Sequence, residues 1–136
     1  MGMAYSVLVV DDHAPTVQVI QSALEGMGLE VRSANNGAEC LLAIDSGRPD
    51  LVILDVIMPV LDGFQTLQIM QQSPDMKDIP VIMLTARSSD EDIAHGWQFR
   101  VTSYLTKPFS IDNLTTLVRR VLEGSAEVGA EKVERT

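Results

Sequence analysis

The chain has 136 residues, 46% of them hydrophobic and 21% charged, which are the proportions of one ordinary globular domain. No apolar stretch approaches the roughly 18 residues of a membrane span, and the N-terminus lacks the basic and apolar regions of a secretory signal. The net charge of −9 disfavours unassisted binding to nucleic acid and to anionic membrane surfaces. We therefore expect a cytoplasmic protein without direct nucleic acid or membrane partners.

The hydrophobic pattern alternates strand and helix along the chain, with short connections. Continuous apolar runs predict buried parallel strands at 7–10, 51–54, 81–84 and 104–105, and a more polar run at 29–34 predicts an edge strand. Apolar residues at helical spacing predict helices at 14–27, 38–46, 63–72, 88–99 and 111–122. The pattern fails from Gly124 to Thr136, which predicts a domain at 4–123 followed by a polar tail or the start of a linker.

This alternation predicts right-handed crossovers and a parallel sheet with helices on both faces. We therefore expect an α/β protein with a doubly wound, five-stranded parallel sheet and the three layers of a flavodoxin-like sandwich. The strand order 2-1-3-4-5 is one of the two common arrangements for such a sheet. In this order the first and third strands are neighbours, and the crevice for ligands opens at their carboxyl ends.

Polar residues stand where four of the apolar runs end. Asp11 and Asp12 follow the first strand, and Asp55 follows the third. Thr85 follows the fourth strand, and Lys107 lies just beyond the fifth. Because the carboxyl ends of parallel strands gather at one edge of a sheet, three carboxylates, a hydroxyl and an ammonium are expected to meet there.

Three clustered carboxylates favour a bound cation, because unit charges about 4 Å apart repel by roughly 4 kcal/mol at an effective dielectric near 20. Oxygen ligands without a His or Cys cluster favour Mg²⁺ or Mn²⁺ over zinc. Such a cation can accept an oxygen of a phosphoryl group while one carboxylate acts as the nucleophile. Lys107 and Thr85 can then stabilise the charge on the transferred group.

Four segments in chain order resemble the signature segments of the response regulator receiver domain of two-component signalling. They are Val9-Val10-Asp11-Asp12, Asp55-Val56-Ile57-Met58-Pro59-Val60-Leu61-Asp62-Gly63, Leu84-Thr85-Ala86 and Tyr104-Leu105-Thr106-Lys107-Pro108-Phe109. The resemblance implies that Asp55 accepts a phosphoryl group from a histidine kinase or a histidine phosphotransfer protein. It also implies a Mg²⁺ site, with Asp12, Asp55 and the backbone carbonyl of Ile57 as direct ligands and Asp11 acting through water.

The same resemblance implies a switch. Lys107 would contact the phosphoryl group, and the Lys107-Pro108 bond would be cis. Thr85 would move toward the phosphoryl oxygens and Tyr104 would turn inward, which reshapes the surface of the helix predicted at 88–99, the fifth strand and the last helix. This surface would bind an unknown downstream protein or a second copy of the chain, and the only chemistry would be self-phosphorylation and slow self-dephosphorylation.

The sequence departs from the family pattern in places. Arg100-Val101-Thr102-Ser103 stands where many receivers have a Gly-Ala-acidic segment, which leaves the path of the turn before Tyr104 open. Ile57 cannot orient a water molecule by hydrogen bonding, which predicts slow loss of the phosphoryl group. Arg87 either reaches the phosphoryl group or faces solvent.

Other interpretations stay open from the sequence. Alone, Asp11 and Asp12 would be a helix cap, and Asp62 with Gly63 a turn before the third helix. An aspartyl-phosphate hydrolase would also use a strand-end aspartate and Mg²⁺, but would need an added cap or long insertion. A flavin-binding module would need a phosphate loop rich in Ser, Thr and Gly after the first strand. The chain could also be the receiver of a larger regulator that carries its own effector.

Overall fold

The computed structural model describes residues 4–85 and 101–125, which form a sheet of five parallel strands and the helices packed on it. The strands are β1 (Ser6–Val10), β2 (Glu30–Ala34), β3 (Leu51–Asp55), β4 (Val81–Thr85) and β5 (Ser103–Thr106). The helices are α1 (Ala14–Glu25), α2 (Gly37–Ser46), α3 (Gly63–Gln72) and α4 (Ile111–Arg120), and a π-helical turn (Val121–Ser125) follows α4. The helix predicted at 88–99 lies outside the described residues.

The strand order is β2-β1-β3-β4-β5, with every neighbouring pair parallel. This confirms the predicted doubly wound order and the prediction that the second strand lies at an edge. The register pairs Val10 with Leu54, and Asp55 with Leu84. The ends of β1, β3 and β4 therefore lie side by side at one edge of the sheet.

The core is divided between the two faces of the sheet, which explains why β1, β3 and β4 each contain four consecutive apolar residues. One face, with Leu8, Val10, Val52, Leu54 and Met83, packs against buried residues of α2 and α3. The other face packs against buried residues of α1 and α4, and its strand residues are Val7, Val9, Leu51, Ile53, Ile82 and Leu84. Because helices cover both faces, neither set of side chains alternates with polar ones.

Short polar side chains start three of the helices. Asn36 accepts a hydrogen bond from the Glu39 N–H at the start of α2, and Ser110 accepts one from the Asn113 N–H at the start of α4. Asp62 and Gln65 form a reciprocal capping box at the start of α3. Ser110 therefore caps α4, and Asp62 caps α3, in line with the interpretation of Asp62 and Gly63 as a turn before the third helix.

Some helix ends differ from the sequence predictions. The helix α1 ends at Glu25, because the N–H groups of Met27 and Gly28 bond to carbonyls three residues back and Gly28, with φ +87°, turns the chain toward β2. The helix α4 ends at Arg120, before the π-helical turn in which Gly124 has φ +84°. Within the described ranges, no helix is both long and apolar enough to span a membrane.

Candidate functional site

Three carboxylates meet at the carboxyl edge of the sheet. Asp11 and Asp12 follow β1, and Asp55 is the last residue of β3, the neighbouring strand. One ligand oxygen of each lies within 4.8 Å of those of the other two. Asp11 is 1% exposed and Asp55 7% exposed, whereas Asp12 faces solvent. The structure therefore confirms that these three acids converge, and it leaves one of them open to the solvent.

Lys107 brings the fifth strand into this site. Its Nζ lies 2.9 Å from Asp11 Oδ2 and 3.3 Å from Asp55 Oδ1, so that one ammonium bridges two carboxylates. The Lys107 backbone N–H also donates a hydrogen bond of 2.7 Å to the Thr85 carbonyl, which ties the segment after β5 to the end of β4. The Lys107-Pro108 peptide bond is cis, as the sequence resemblance implied.

The charges around Asp55 do not balance. Burial, together with the negative charge of Asp11, raises the pKa of Asp55 to about 6 against the opposing effect of Lys107. Burial lowers the pKa of Lys107, but its contacts with Asp11 and Asp55 outweigh this effect and raise that pKa overall. One ammonium therefore does not compensate two buried carboxylates, and additional positive charge would stabilise the ionised form of Asp55.

Both oxygens of Asp11 already have partners. Its Oδ1 accepts a hydrogen bond of 2.9 Å from the His13 N–H, and its Oδ2 accepts the bond from Lys107. His13 is the N-cap residue of α1, and its side chain contacts Thr16 Oγ1 at 2.7 Å. Asp11 thus fixes the entry to α1 and anchors Lys107 at the same time.

The loop after Asp55 is closed at its base. The Val56 N–H donates to the Leu84 carbonyl at 3.0 Å, and the Gly63 N–H donates to the Val56 carbonyl at 2.8 Å. A Cβ at position 63 would lie 2.3 Å from the Asp55 carbonyl oxygen, so only glycine fits there. The start of α3 is in this way pressed against the backbone of Asp55, while the Ile57 side chain is 74% exposed.

Thr85 and Tyr104, the two residues expected to form the switch, lie on β4 and β5. Thr85 is the last residue of β4 and is 2% exposed. Tyr104 pairs with Met83 across the two strands and is half-buried, where it packs against the core on the α2 and α3 face. Their switch role stays a prediction.

The unusual segment before Tyr104 pairs with β4. The Thr102 N–H donates to the Val81 carbonyl at 3.0 Å, and Thr102 Oγ1 accepts from the Val81 N–H at 3.1 Å. These two bonds extend the pairing of β4 and β5 without the glycine that many receivers have. Arg100 and Arg87 lie outside the described residues.

The donors at this edge are chemically suited to a hard divalent cation. They are the carboxylate oxygens of three aspartates. Asp12 is exposed, whereas Asp11 and Asp55 are buried close to each other, and the pKa of Asp55 is raised. The group could therefore hold a metal ion, with Asp12 as its solvent-exposed member.

A family model for the response regulator receiver domain matches residues 7–119. The chain belongs to this family. The receiver domain is 36% identical over 132 residues to the alkaline phosphatase synthesis transcriptional regulatory protein PhoP of Bacillus subtilis (strain 168), which covers 97% of this chain and 54% of that protein. It is 34% identical to response regulator Rre1 of Synechocystis sp. (strain ATCC 27184 / PCC 6803 / Kazusa), covering 98% of this chain and 60% of that protein.

A solved structure is similar over nearly its whole length. The chemotaxis response regulator CheY4 of Vibrio cholerae matches the receiver domain with a TM-score of 0.83 and 34% identity, covering 88% of this chain and 99% of that one. In contrast, the receiver domain spans little more than half the length of the two regulators from Bacillus and Synechocystis. Receiver domains are signalling modules, so the chain is a component of two-component signal transduction.

Proposed function

We propose that this receiver domain accepts a phosphoryl group on Asp55 from the phosphohistidine of a histidine kinase or a histidine phosphotransfer protein. The observation that carries the proposal is the position of Asp55, whose carboxylate lies 3.3 Å from Lys107 Nζ and in one cluster with Asp11 and Asp12. A carboxylate oxygen of Asp55 forms the new bond to phosphorus. The bond from phosphorus to the imidazole nitrogen breaks, and its electron pair stays on that nitrogen.

The reaction is proposed to require Mg²⁺, for which Mn²⁺ could substitute. Asp12, Asp55 and the Ile57 carbonyl would be direct ligands, and Asp11 would act through water. A bound cation would supply positive charge to the oxygens of the incoming group. The raised pKa of Asp55 supports this proposal, because burial and the neighbouring Asp11 both disfavour its ionised form and a bound cation would favour that form.

The residues around Asp55 are proposed to stabilise the transferred group and to report its arrival. Lys107 would contact an oxygen of the phosphoryl group. Its Nζ already lies 3.3 Å from Asp55 Oδ1, so it is close to the position that this group would occupy. Thr85 and Tyr104 would rearrange and change the surface of the helix predicted at 88–99, β5 and α4. Ile57 would slow the loss of the phosphoryl group because it cannot orient water, and Arg87 is a second candidate modulator.

The output of the domain is proposed to be protein binding and not catalysis on a substrate. The relatives from Bacillus and Synechocystis are a transcriptional regulator and a response regulator of greater length, which supports an effector in the same chain or in another protein. Pairing of two copies on phosphorylation is an alternative use of the changed surface. We further propose that residues 4–123 form the receiver and that it acts in the cytoplasm.

Incubation with acetyl phosphate and Mg²⁺, followed by intact mass measurement, tests the proposal. The wild-type protein should gain one phosphoryl group, and Asp55→Asn should gain none. Asp45→Asn, which changes an exposed carboxylate on α2, serves as the matched control and should react like the wild type. Phosphorylation of Asp55→Asn, or equal phosphorylation when EDTA replaces Mg²⁺, would contradict the assignment of Asp55 or of the cation.

A further inference from the structure

The first turn of α2 is packed against the loop between β3 and α3. Gly37, the first residue of α2, is buried, and its N–H donates a hydrogen bond of 3.3 Å to the Leu61 carbonyl. A Cβ at position 37 would overlap Thr66 Oγ1, and it would lie 2.7 Å from Leu61 Cβ and 2.9 Å from the Leu61 carbonyl oxygen. Only glycine therefore allows α2 to approach the loop this closely.

The same loop carries backbone strain. Val60 has φ +71°, which a branched residue rarely adopts, and the Leu61 N–H bonds to the Pro59 carbonyl across it at 2.8 Å. The Val60 side chain is 76% exposed, so its own packing does not offset the strain. A strained residue persists only where the surrounding structure holds it. The contact between Gly37 and Leu61, the residue after Val60, supplies such a constraint from the side of α2.

The other end of the strained segment is fixed beside the proposed phosphoacceptor. The Val56 N–H bonds to the Leu84 carbonyl of β4, and the Val56 carbonyl accepts from the Gly63 N–H. The four residues between Val56 and Leu61 are therefore held at both ends. One of them is Ile57, whose backbone carbonyl is the third cation ligand that we propose. Because the Ile57 side chain is 74% exposed, the neighbouring backbone sets the position of this carbonyl.

We infer that Gly37 is a positioning residue for the cation site, because it lets α2 hold Leu61 and thereby keeps the Ile57 carbonyl in place as a ligand; this inference rests on the function and the Mg²⁺ site proposed for Asp55. Gly37 acts through Leu61 and is not itself a ligand. A Cβ at position 37 would push Leu61 away. The loop would then leave its strained conformation, and the Ile57 carbonyl would move with it. Loss of a group that orients a metal ligand typically weakens metal binding about 10- to 100-fold.

Binding of Mn²⁺, measured from the electron paramagnetic resonance signal of the free ion, tests the inference without any phosphoryl transfer. Gly37→Ala should raise the dissociation constant about tenfold. Thr66→Ala should leave it unchanged, because the Asp62 carbonyl that loses the bond from Thr66 Oγ1 keeps the bond from the Thr66 N–H. The double variant Gly37→Ala/Thr66→Ala removes the closest overlap and keeps the one with Leu61, so it should also bind about tenfold more weakly. This variant keeps the test available if Gly37→Ala alone does not fold.

A second substitution on α2 separates positioning from stability. Ile44→Ala removes a core side chain that is 5% exposed, so it should lower the urea midpoint and leave Mn²⁺ binding unchanged. In labelling by acetyl phosphate, the Gly37 variants should need about ten times more Mg²⁺ for the half-maximal rate and should reach the wild-type rate at saturating Mg²⁺.

The outcomes distinguish this inference from the function on which it rests. If the folded Gly37 variants bind Mn²⁺ like the wild type, or if Ile44→Ala weakens binding as much as they do, Gly37 is not a positioning residue. A wild-type protein that acetyl phosphate does not label, or that does not bind Mn²⁺, would instead refute the proposed function.

Discussion

The metal-free receiver domain should become more stable when its proposed phosphoacceptor is neutralised. Asp55 has a pKa of about 6 in the folded protein, against an ordinary value of 3.8. Each pH unit of difference corresponds to about 1.4 kcal/mol, so the ionised carboxylate costs the folded state about 3 kcal/mol above pH 6. Asp55→Asn removes this cost, and the gain in the free energy of unfolding should approach that value near neutral pH.

The sign of the effect follows from the direction of the shift. The folded state holds the Asp55 proton more tightly than the unfolded state, so the cost is absent below about pH 3.8 and grows as the pH rises through about 6. Urea denaturation in EDTA, followed by circular dichroism across this range, gives the difference between Asp55→Asn and wild type. That difference should be near zero at the acid end and level off above about pH 7.

An exposed carboxylate on α2 provides the control for this measurement. Asp45→Asn changes an exposed carboxylate and should alter stability by no more than about 0.5 kcal/mol at any pH. Mg²⁺ at about ten times its dissociation constant should stabilise the wild type by about 1.4 kcal/mol and thereby reduce the advantage of Asp55→Asn. The reasoning is refuted if the difference in unfolding free energy between Asp55→Asn and wild type does not change with pH. It is also refuted if Asp55→Asn is less stable than wild type near pH 8. Either result would show that the pKa of Asp55 is not raised.

Three further predictions concern neighbouring residues. Lys107→Met leaves two carboxylates without their shared ammonium and should cost about 1–3 kcal/mol near pH 8 in urea denaturation, with a smaller loss below pH 6, where Asp55 becomes protonated; an equal loss at both pH values would refute this. Gly63→Ala should cost at least about 2 kcal/mol by the same measurement, because its Cβ would lie 2.3 Å from a backbone oxygen, whereas Gly47→Ala, in extended backbone where the nearest atom would be 3.6 Å from the Cβ, should be nearly neutral. Ile57→Asn should shorten the half-life of phosphorylated Asp55, measured by the decay of the label after the donor is removed; an unchanged half-life would reject a role for Ile57 in slowing hydrolysis.

Most of the fold could be predicted because the sheet is buried on both faces. Continuous apolar runs such as those of β3 and β4 have few alternatives in a chain with short connections, and the observed strand order is one of the two that are common for such a sheet. The convergence of Asp11, Asp55 and Lys107 needed no further information, since all three stand at the carboxyl ends of neighbouring strands or just beyond them.

The details that escaped the sequence depend on contacts between distant segments. A valine gives no signal for a positive φ, so the φ of +71° at Val60, in the loop between β3 and α3, could not be foreseen from its residue type. Thr102 bonds to Val81 through both its backbone N–H and its side-chain hydroxyl, where many receivers have a glycine. This pairing could not be predicted from the segment 100–103 alone, because it depends on the position of β4. The raised pKa of Asp55 likewise results mainly from its burial by the fold, and then from its closeness to Asp11.

The bridge from Lys107 to Asp11 joins residues 96 positions apart, and it requires the last strand of the sheet as well as the first. During synthesis, a growing chain would therefore have its aspartates long before it has the amine that completes the pocket. On the proposed function, a chain that ends before β5 would have the three carboxylates but not the ammonium of Lys107, and it would not accept the phosphoryl group.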